Sequence, residues 1–399
     1  MAIQNAVEVD IQYVEETTPG VTPTTPQMTQ QRRVSSSLAL NKATFQSQEA
    51  RLDRNISDFR HGLRSVVGDL VGEVSLGAWD AFIEAGMGGT WDTQLVIDDT
   101  DVTSIAATSG VWTIGTGSLI TEGLKVGDVI HFGATLSEAA NNNKNFVITS
   151  IPSATTMTTS PAPVDFTADT TFTLTRAGRK VLVGGSATPM RTFTIEQSYA
   201  LITQFEAFLG CAVGTLAFAL TSEGLLGLTL SILGLDKGPL VGSPLDATPT
   251  APPSNPILAA PNGQLVIDET AIAVVTALNV SVNNNLTSQA VVGSNIAPAI
   301  FRGSANISGN FTAFFENATI PNAFDNETIL KLHSLVEEPT GTIPGFFRAS
   351  MNAIKLGGAT KTIAAEGGVL IDYPFQAILP VTATNTDPSA LVLQVSNNS

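Results

Sequence analysis

LAFALTSEGLLGLTLSILGL, residues 216–235, holds the densest apolar run of the chain, at 225–235. That run is too short to cross a bilayer as a helix, and extending it backwards meets Thr221, Ser222, Glu223 and Gly224. Two apolar runs around a polar turn ending in glycine read as two core strands. The fold class is therefore mainly β.

Outward from this hairpin the same texture continues. Phe193 and Ile195 alternate as in a strand, whereas Ile202, Phe205 and Phe208, spaced by three, predict the apolar face of a short helix. Further upstream, Leu70, Glu73, Val74 and Leu76 predict a strand, and WDAFIEAGMGG (79–89) predicts a short amphipathic helix stopped by glycines. Downstream, GPLVGSPLDATPTAPPSNP (238–256) carries six prolines and reads as a surface loop. Strands follow at 265–282, 305–317, 345–357 and 368–379, with a short helix over 321–327 and one last strand after Asn385. The strand-then-helix order of GEVSLGAWDAFIEAG (72–86) returns in 191–208 and in 309–324, which suggests two related halves. QLVIDDT (94–100) and QLVIDET (264–270) are a second, weaker echo.

Four regions result. Residues 1–50 hold three prolines and many Thr, Ser and Gln with little apolar period, and predict an extended N-terminal arm. Residues 51–91 and 177–384 form the β body, and 385–399 a C-terminal tail. Between the two halves of the body, 92–176 shows short alternating runs punctuated by Gly, Asn and Pro, and predicts an inserted small all-β domain.

Nineteen basic against 35 acidic residues give a net charge of −16 over 399 residues. Such a chain lacks the Lys/Arg surface that retains a nucleic acid. Charged residues are only 14% of the chain, against roughly 25% in an average soluble protein, so much of its surface is neutral or covered by another subunit. The lone cysteine, Cys211, excludes an intramolecular disulfide and a cysteine-built zinc site. The start, MAIQNAVEVDIQYVEE, lacks the features of a secretory signal.

No catalytic constellation emerges, and the chain reads as a non-enzyme without cofactor or metal. The only imidazoles, His61, His131 and His333, stand outside GxSxG, HExxH or Cys-His contexts. Asp98, Asp99 and Asp101 read as a solvated turn, since a calcium loop needs spaced acids and a distal glutamate. The Asn-x-Ser/Thr triplets at Asn279, Asn285, Asn306, Asn310, Asn317 and Asn326 read as polar faces of strands. Arg51, Arg54, Arg60 and Arg64 alternate with Asp53 and Asp58 as an ion-pairing surface, and Arg60 and Arg64 are candidates for a subunit interface.

The series of segments carries more than any one motif. A TPGVTP arm leads to LDRNISDFRHGLRSVVGDLVGEVSLGAWDAFIEAGMGGTW; later come GRKVLVGGSATPMRTFTIEQSYALITQFEAFLGCAVGTLAFAL, RGSANISGNFTAFFENATIPNAFDNET and IDYPFQAIL. Over 15–91 and 177–380 this order resembles the tail tube (major tail) proteins of long, flexible-tailed bacteriophages. The resemblance implies a β-sandwich or split-barrel body that forms hexameric rings, stacked into a hollow tube. It further implies a tape-measure protein in the lumen, tail-tip and tail-terminator proteins at the ends, DNA only in transit, and no membrane. The location implied is the virion tail, after assembly in the host cytoplasm. On this reading the insert decorates the outside, the arm joins one ring to the next, and Val34, Leu38 and Leu40 are its anchors. The alternative is a surface or secreted β-sandwich binding module with glycan as its ligand.

Overall fold

The computed structural model describes residues 3–185, 187–272, 274–339, 341–363, 366–381 and 384–396. Residue 273, within the expected strand run 265–282, and residues 397–399 of the C-terminal tail lie outside the described residues. The protein is mainly β, with two α-helices among the described residues, Asp80–Met87 (α1) and Thr319–Asp325 (α2).

The 216–235 hairpin forms as its sequence predicts. Strand Gln204–Thr221 turns through Ser222 and Gly224 and returns as Gly227–Gly234, with Ala219 opposite Gly227 and Ala212 opposite Leu233. Antiparallel pairing extends the sheet on both sides of it. On one side Gly227–Gly234 pairs with Phe59–Glu73, and Phe59–Glu73 with Ala39–Gln46. On the other side follow Val275–Asn283, Asn306–Phe314, Leu370–Ala377, Phe346–Leu356, Leu330–Glu337, Gly263–Ile267 and Thr270–Ile272. The strands do not close into a barrel.

Strand Gln204–Thr221 is 18 residues long because it serves two layers. Its first half pairs with Thr192–Tyr199, which pairs in turn with Val9–Glu16. The change of layer falls at Gly210, where φ is +65° and the Leu235 side chain packs against the backbone, two demands that favour glycine. The helix expected from Ile202, Phe205 and Phe208 is absent. Ala200–Ile202 is one 3-10 turn, while Phe205 and Phe208 belong to the strand. With apolar residues on both strand faces, a spacing of three carries no helical meaning.

Between the layers lies α1, with Phe82, Ile83 and Met87 buried together with Trp79 just before it. Its Phe82 ring packs 4.6 Å from that of Tyr13 and 4.8 Å from that of Phe193, both in the second layer, while its Gly86 faces Val213 and Leu216 of the main sheet, so the helix joins both layers. The helix ends at Gly88, φ +61°, as the glycine signal predicts. The strand of the C-terminal tail, Val392–Val395, is inserted between Arg179–Leu182 and Phe346–Leu356.

The first fifty residues differ from an unsupported arm. Val9–Glu16 pairs along its whole length with Thr192–Tyr199 of the same chain. The Glu16 carboxylate, buried, accepts from the Thr192 and Thr194 hydroxyls at 2.8 Å and from the Gly210 amide at 2.9 Å. The sequence signal missed this because Val9–Glu16 is held by a buried carboxylate network as well as by apolar period.

Strands from Leu95–Asp98 to Thr173–Arg176 form a separate eight-stranded antiparallel sheet with its own apolar core. Trp112 is its centre, stacked on Phe132 at 4.8 Å and edge-on to Phe146 at 5.4 Å. Against the body this unit makes a seam. Asp128 meets Lys180 at 3.1 Å, Lys180 meets Asp387 at 2.9 Å, and Gln394 donates to the carbonyls of Val129 and Ala177.

Candidate assembly surfaces

Strand Phe59–Glu73 is longer than the sheet it joins. Its second half is held by Gly227–Gly234, while its first half runs out of the body with Ala39–Gln46, with Lys42 opposite Arg64 and Gln46 opposite Phe59. The result is a projecting hairpin, exposed from Gln48 through His61 and along most of Ala39–Gln46. Phe45, Leu52, Ile56 and Phe59 stand in water, Leu52 completely. A two-stranded ribbon with four exposed large apolar side chains is marginal by itself in water and marks a contact surface. The Phe45 ring lies over Gly62, where a Cβ would collide with it.

The charges of the hairpin are mostly paired locally. Arg51 and Asp53 meet at 2.9 Å, which holds the Asp53 carboxyl down at about 2, and Arg60 meets Asp58 at 2.8 Å. Both pairs are exposed, so they orient the tip more than they stabilise it. Arg64 is different. Half-buried at the root, it pairs with Asp236 at 2.8 Å and donates to the Lys237 carbonyl at 3.0 Å, while its amide donates to Asn295.

Of the expected interface residues, Arg60 is therefore exposed near the tip and Arg64 fastens the hairpin to its own subunit. Val34 is exposed and its amide bonds to the Val71 carbonyl. Leu40 is half-buried opposite Val66, and Leu38 is packed into the chain's own core. The structure thus gathers Val34, Leu38 and Leu40 along one strand of their own subunit.

A second surface is the outer face of the main sheet. Across six adjacent strands, the segments 66–73, 227–234, 215–221, 275–283, 306–314 and 370–377 contain no Lys or Arg. Apart from apolar side chains such as Val67 and Phe314, their outward residues are mostly small or polar, and several are laced together. Ser231 donates to Asp69 at 2.7 Å, Asn279 to Asn310 at 3.1 Å, and Asn310 to Asp372 at 2.8 Å. Three of the Asn-x-Ser/Thr asparagines, Asn279, Asn306 and Asn310, thus serve as the polar strand face that the sequence suggested, whereas Asn285, Asn317 and Asn326 lie outside strands. The only charges on this face, Asp69, Glu73 and Asp372, are acidic. Sequence reasoning missed the face, since the missing Lys and Arg become visible only when distant strands are aligned.

The imidazoles sit apart from one another. His61 is exposed on the hairpin, His131 half-buried in the insert, and His333 buried in the body, its Nδ1 2.6 Å from the Ser350 hydroxyl. Asp98 and Asp101 close a turn, Asp98 accepting from Thr100 and Asp101 from the Asp98 amide. Cys211 is buried, and burial pushes its thiol well up. No helix among the described residues is long and apolar enough to cross a membrane.

Comparison with curated proteins finds no match. The family described as phage tail tube protein matches residues 7–377, nearly the whole chain. The match fits what the surfaces present, a β body with a projecting apolar hairpin and a neutral-to-acidic sheet face. The chain belongs to the phage tail tube protein family, the structural proteins of the virion tail that self-associate into a tube.

Proposed function

We propose that the protein closes into hexameric rings that stack into the tail tube of a long, flexible-tailed phage and deliver DNA through the bore. The tape-measure protein occupies the bore before ejection, tail-tip and tail-terminator proteins close the ends, and assembly takes place in the host cytoplasm. The observation that carries this reading is the outer sheet face, with no Lys or Arg across six strands and only Asp69, Glu73 and Asp372 as charges. Turned inward, it is a wall along which a polyanion slides without being held.

The exposed hairpin supplies the contact between rings, with Leu40 at its root and Arg60 near its tip, and Val34 lies beside it. The eight-stranded unit at 92–176 decorates the outside, because a folded unit in the wall would block ring closure. Electron microscopy of the purified chain is expected to show rings or hollow tubes. Tubes carrying Asn279→Lys and Ser308→Lys on the sheet face should retain duplex DNA at low salt, whereas unaltered tubes should not. A chain that stays monomeric or dimeric at all concentrations overturns the reading in favour of a binding module.

A further inference from the structure

The hairpin carries a local excess of positive charge in an acidic protein. Residues 39–67 hold five basic against three acidic side chains, a net +2, so the rest of the chain carries −18. Lys42 and Arg64, toward the root, supply that excess, while the tip itself, residues 47–60, balances three basic against three acidic side chains. An apolar tip carrying Arg54 has its complement in an apolar cleft with an acidic mouth. The same chain contains such a cleft.

At the far end of the main sheet, a cleft of about 560 Å³ opens between the Gly263–Ile267/Thr270–Ile272 hairpin and α2. Ile267, Ile272, Phe314 and Ile320 give it apolar walls, and among the described residues the only charged ones lining it are Asp268 and Glu316. Phe315, next to Phe314 of that wall, is covered by Lys361, whose Nζ lies 4.9 Å from the ring. Register places cleft and hairpin at opposite ends. Phe59 is at the hairpin tip, and Glu73, fourteen residues on and about 45 Å further along a strand, is level with Gly227, Ala219, Asn279 and Asn310. Phe314 at the cleft lies four residues further in the same direction.

We infer that the cleft beside α2 receives the hairpin tip of a second copy of this chain, with Leu52 and Ile56 against its apolar wall and Arg54 facing Asp268 and Glu316. Patches at opposite ends that differ in shape and charge make a head-to-tail contact, which propagates instead of closing on itself. The inference rests on the stacked-ring reading and names the receiving surface that stacking needs. Arg54 suits the role because the two other tip cations, Arg51 and Arg60, are already paired with Asp53 and Asp58.

A charge exchange tests it. Asp268→Asn keeps the turn, since asparagine tolerates the +53° φ at this position and can still accept the Lys331 amide, now at 2.9 Å. Combined with Glu316→Lys, it is expected to raise the critical concentration for tube formation about tenfold or more, and adding Arg54→Asp to the same chain should bring it back to within about threefold. Glu316→Lys alone, on an exposed segment, repeats the test with no turn altered. Independently, Ile56→Cys with Ile320→Cys should give intermolecular disulfide ladders, the natural Cys211 being buried. Tubes that form at the unaltered concentration in the charge variants, or that show no 56–320 crosslink, overturn the cleft assignment and leave the stacked-ring reading standing. Absence of any rings, tubes and crosslinks overturns both.

Discussion

Two buried side chains show how much of this fold depends on polar pairing. Lys180 is almost wholly buried, with its ammonium 3.1 Å from Asp128 and 2.9 Å from Asp387, so one cation joins the insert, the body and the C-terminal tail. Arg348, fully buried nearby, is pushed down to about 10 by burial, and Asp128 and Asp387 oppose that shift. Lys180→Met leaves two buried carboxylates without their nearest cation and is expected to cost about 3–5 kcal/mol, read from the urea midpoint. A loss under about 1 kcal/mol would show Arg348 neutralising both. His333 gives a pH dependence of defined sign. Burial, helped by Arg348 and Lys331, lowers its pKa well below 6.5, so in acid the unfolded chain binds a proton that the folded chain refuses. Stability is then complete above about pH 6.5 and falls by up to about 1.4 kcal/mol per unit as pH drops below it. Burial raises the carboxyls of Asp80, Glu196 and Glu337, which act in the opposite sense, so the effect is read as a difference between the protein and its His333→Asn variant. Parallel stability curves from pH 7 to 5 would assign the pH dependence elsewhere.

Among the elements, the projecting hairpin makes the sharpest prediction. The Ser47 amide donates to the Asp58 carbonyl at 2.9 Å, so the ladder is still closed where the loop begins, and residues 48–57 can be replaced by Asn-Gly without disturbing the body. The shortened chain should keep its circular dichroism and melting temperature yet fail to polymerise; normal tubes from it would remove the hairpin from the ring-to-ring contact. Removing residues 1–45 instead is expected to unfold the body, because Val9–Glu16 and the buried Glu16 are part of it. This element also marks the limit of what the sequence reveals. The 216–235 hairpin, α1 and the strands after the linker were legible because period two, glycine stops and turn residues are local signals. Docking of the first strand and the layer change at Gly210 were not, since both depend on partners some 180 residues away or on a backbone angle. Among the candidate site residues, exposure was legible for Arg60, but Arg64 and Leu38 look the same in sequence as free ones, and only their partners place them inside the subunit.

At the scale of the whole molecule, the question is whether the eight-stranded unit belongs to the tube or rides on it. The chain enters and leaves that unit side by side, since the Asp92 amide donates to the Lys180 carbonyl at 2.9 Å and the Asp92 carboxylate accepts from the Lys180 amide at 2.7 Å. A short Gly/Ser linker can therefore replace residues 93–176 while the flanks keep their places. The replacement is not free of cost. The seam includes an apolar contact of Val129, Val147 and Ala177 with Leu335 and Phe346, besides the Asp128–Lys180 pair and the Gln394 hydrogen bonds. Excision uncovers Leu335 and Phe346 and leaves Lys180 with Asp387 alone, so the shortened chain should be less stable by a few kcal/mol, on the order of a buried pair and two apolar side chains. Assembly should survive, because neither the hairpin, nor the Lys- and Arg-free sheet face, nor the cleft beside α2 takes a residue from 93–176. Electron micrographs should then show tubes with an unchanged bore and a smaller outer diameter. Soluble, folded monomers that never form tubes, even with Phe346→Ser restoring a polar surface, would place the unit in the tube wall.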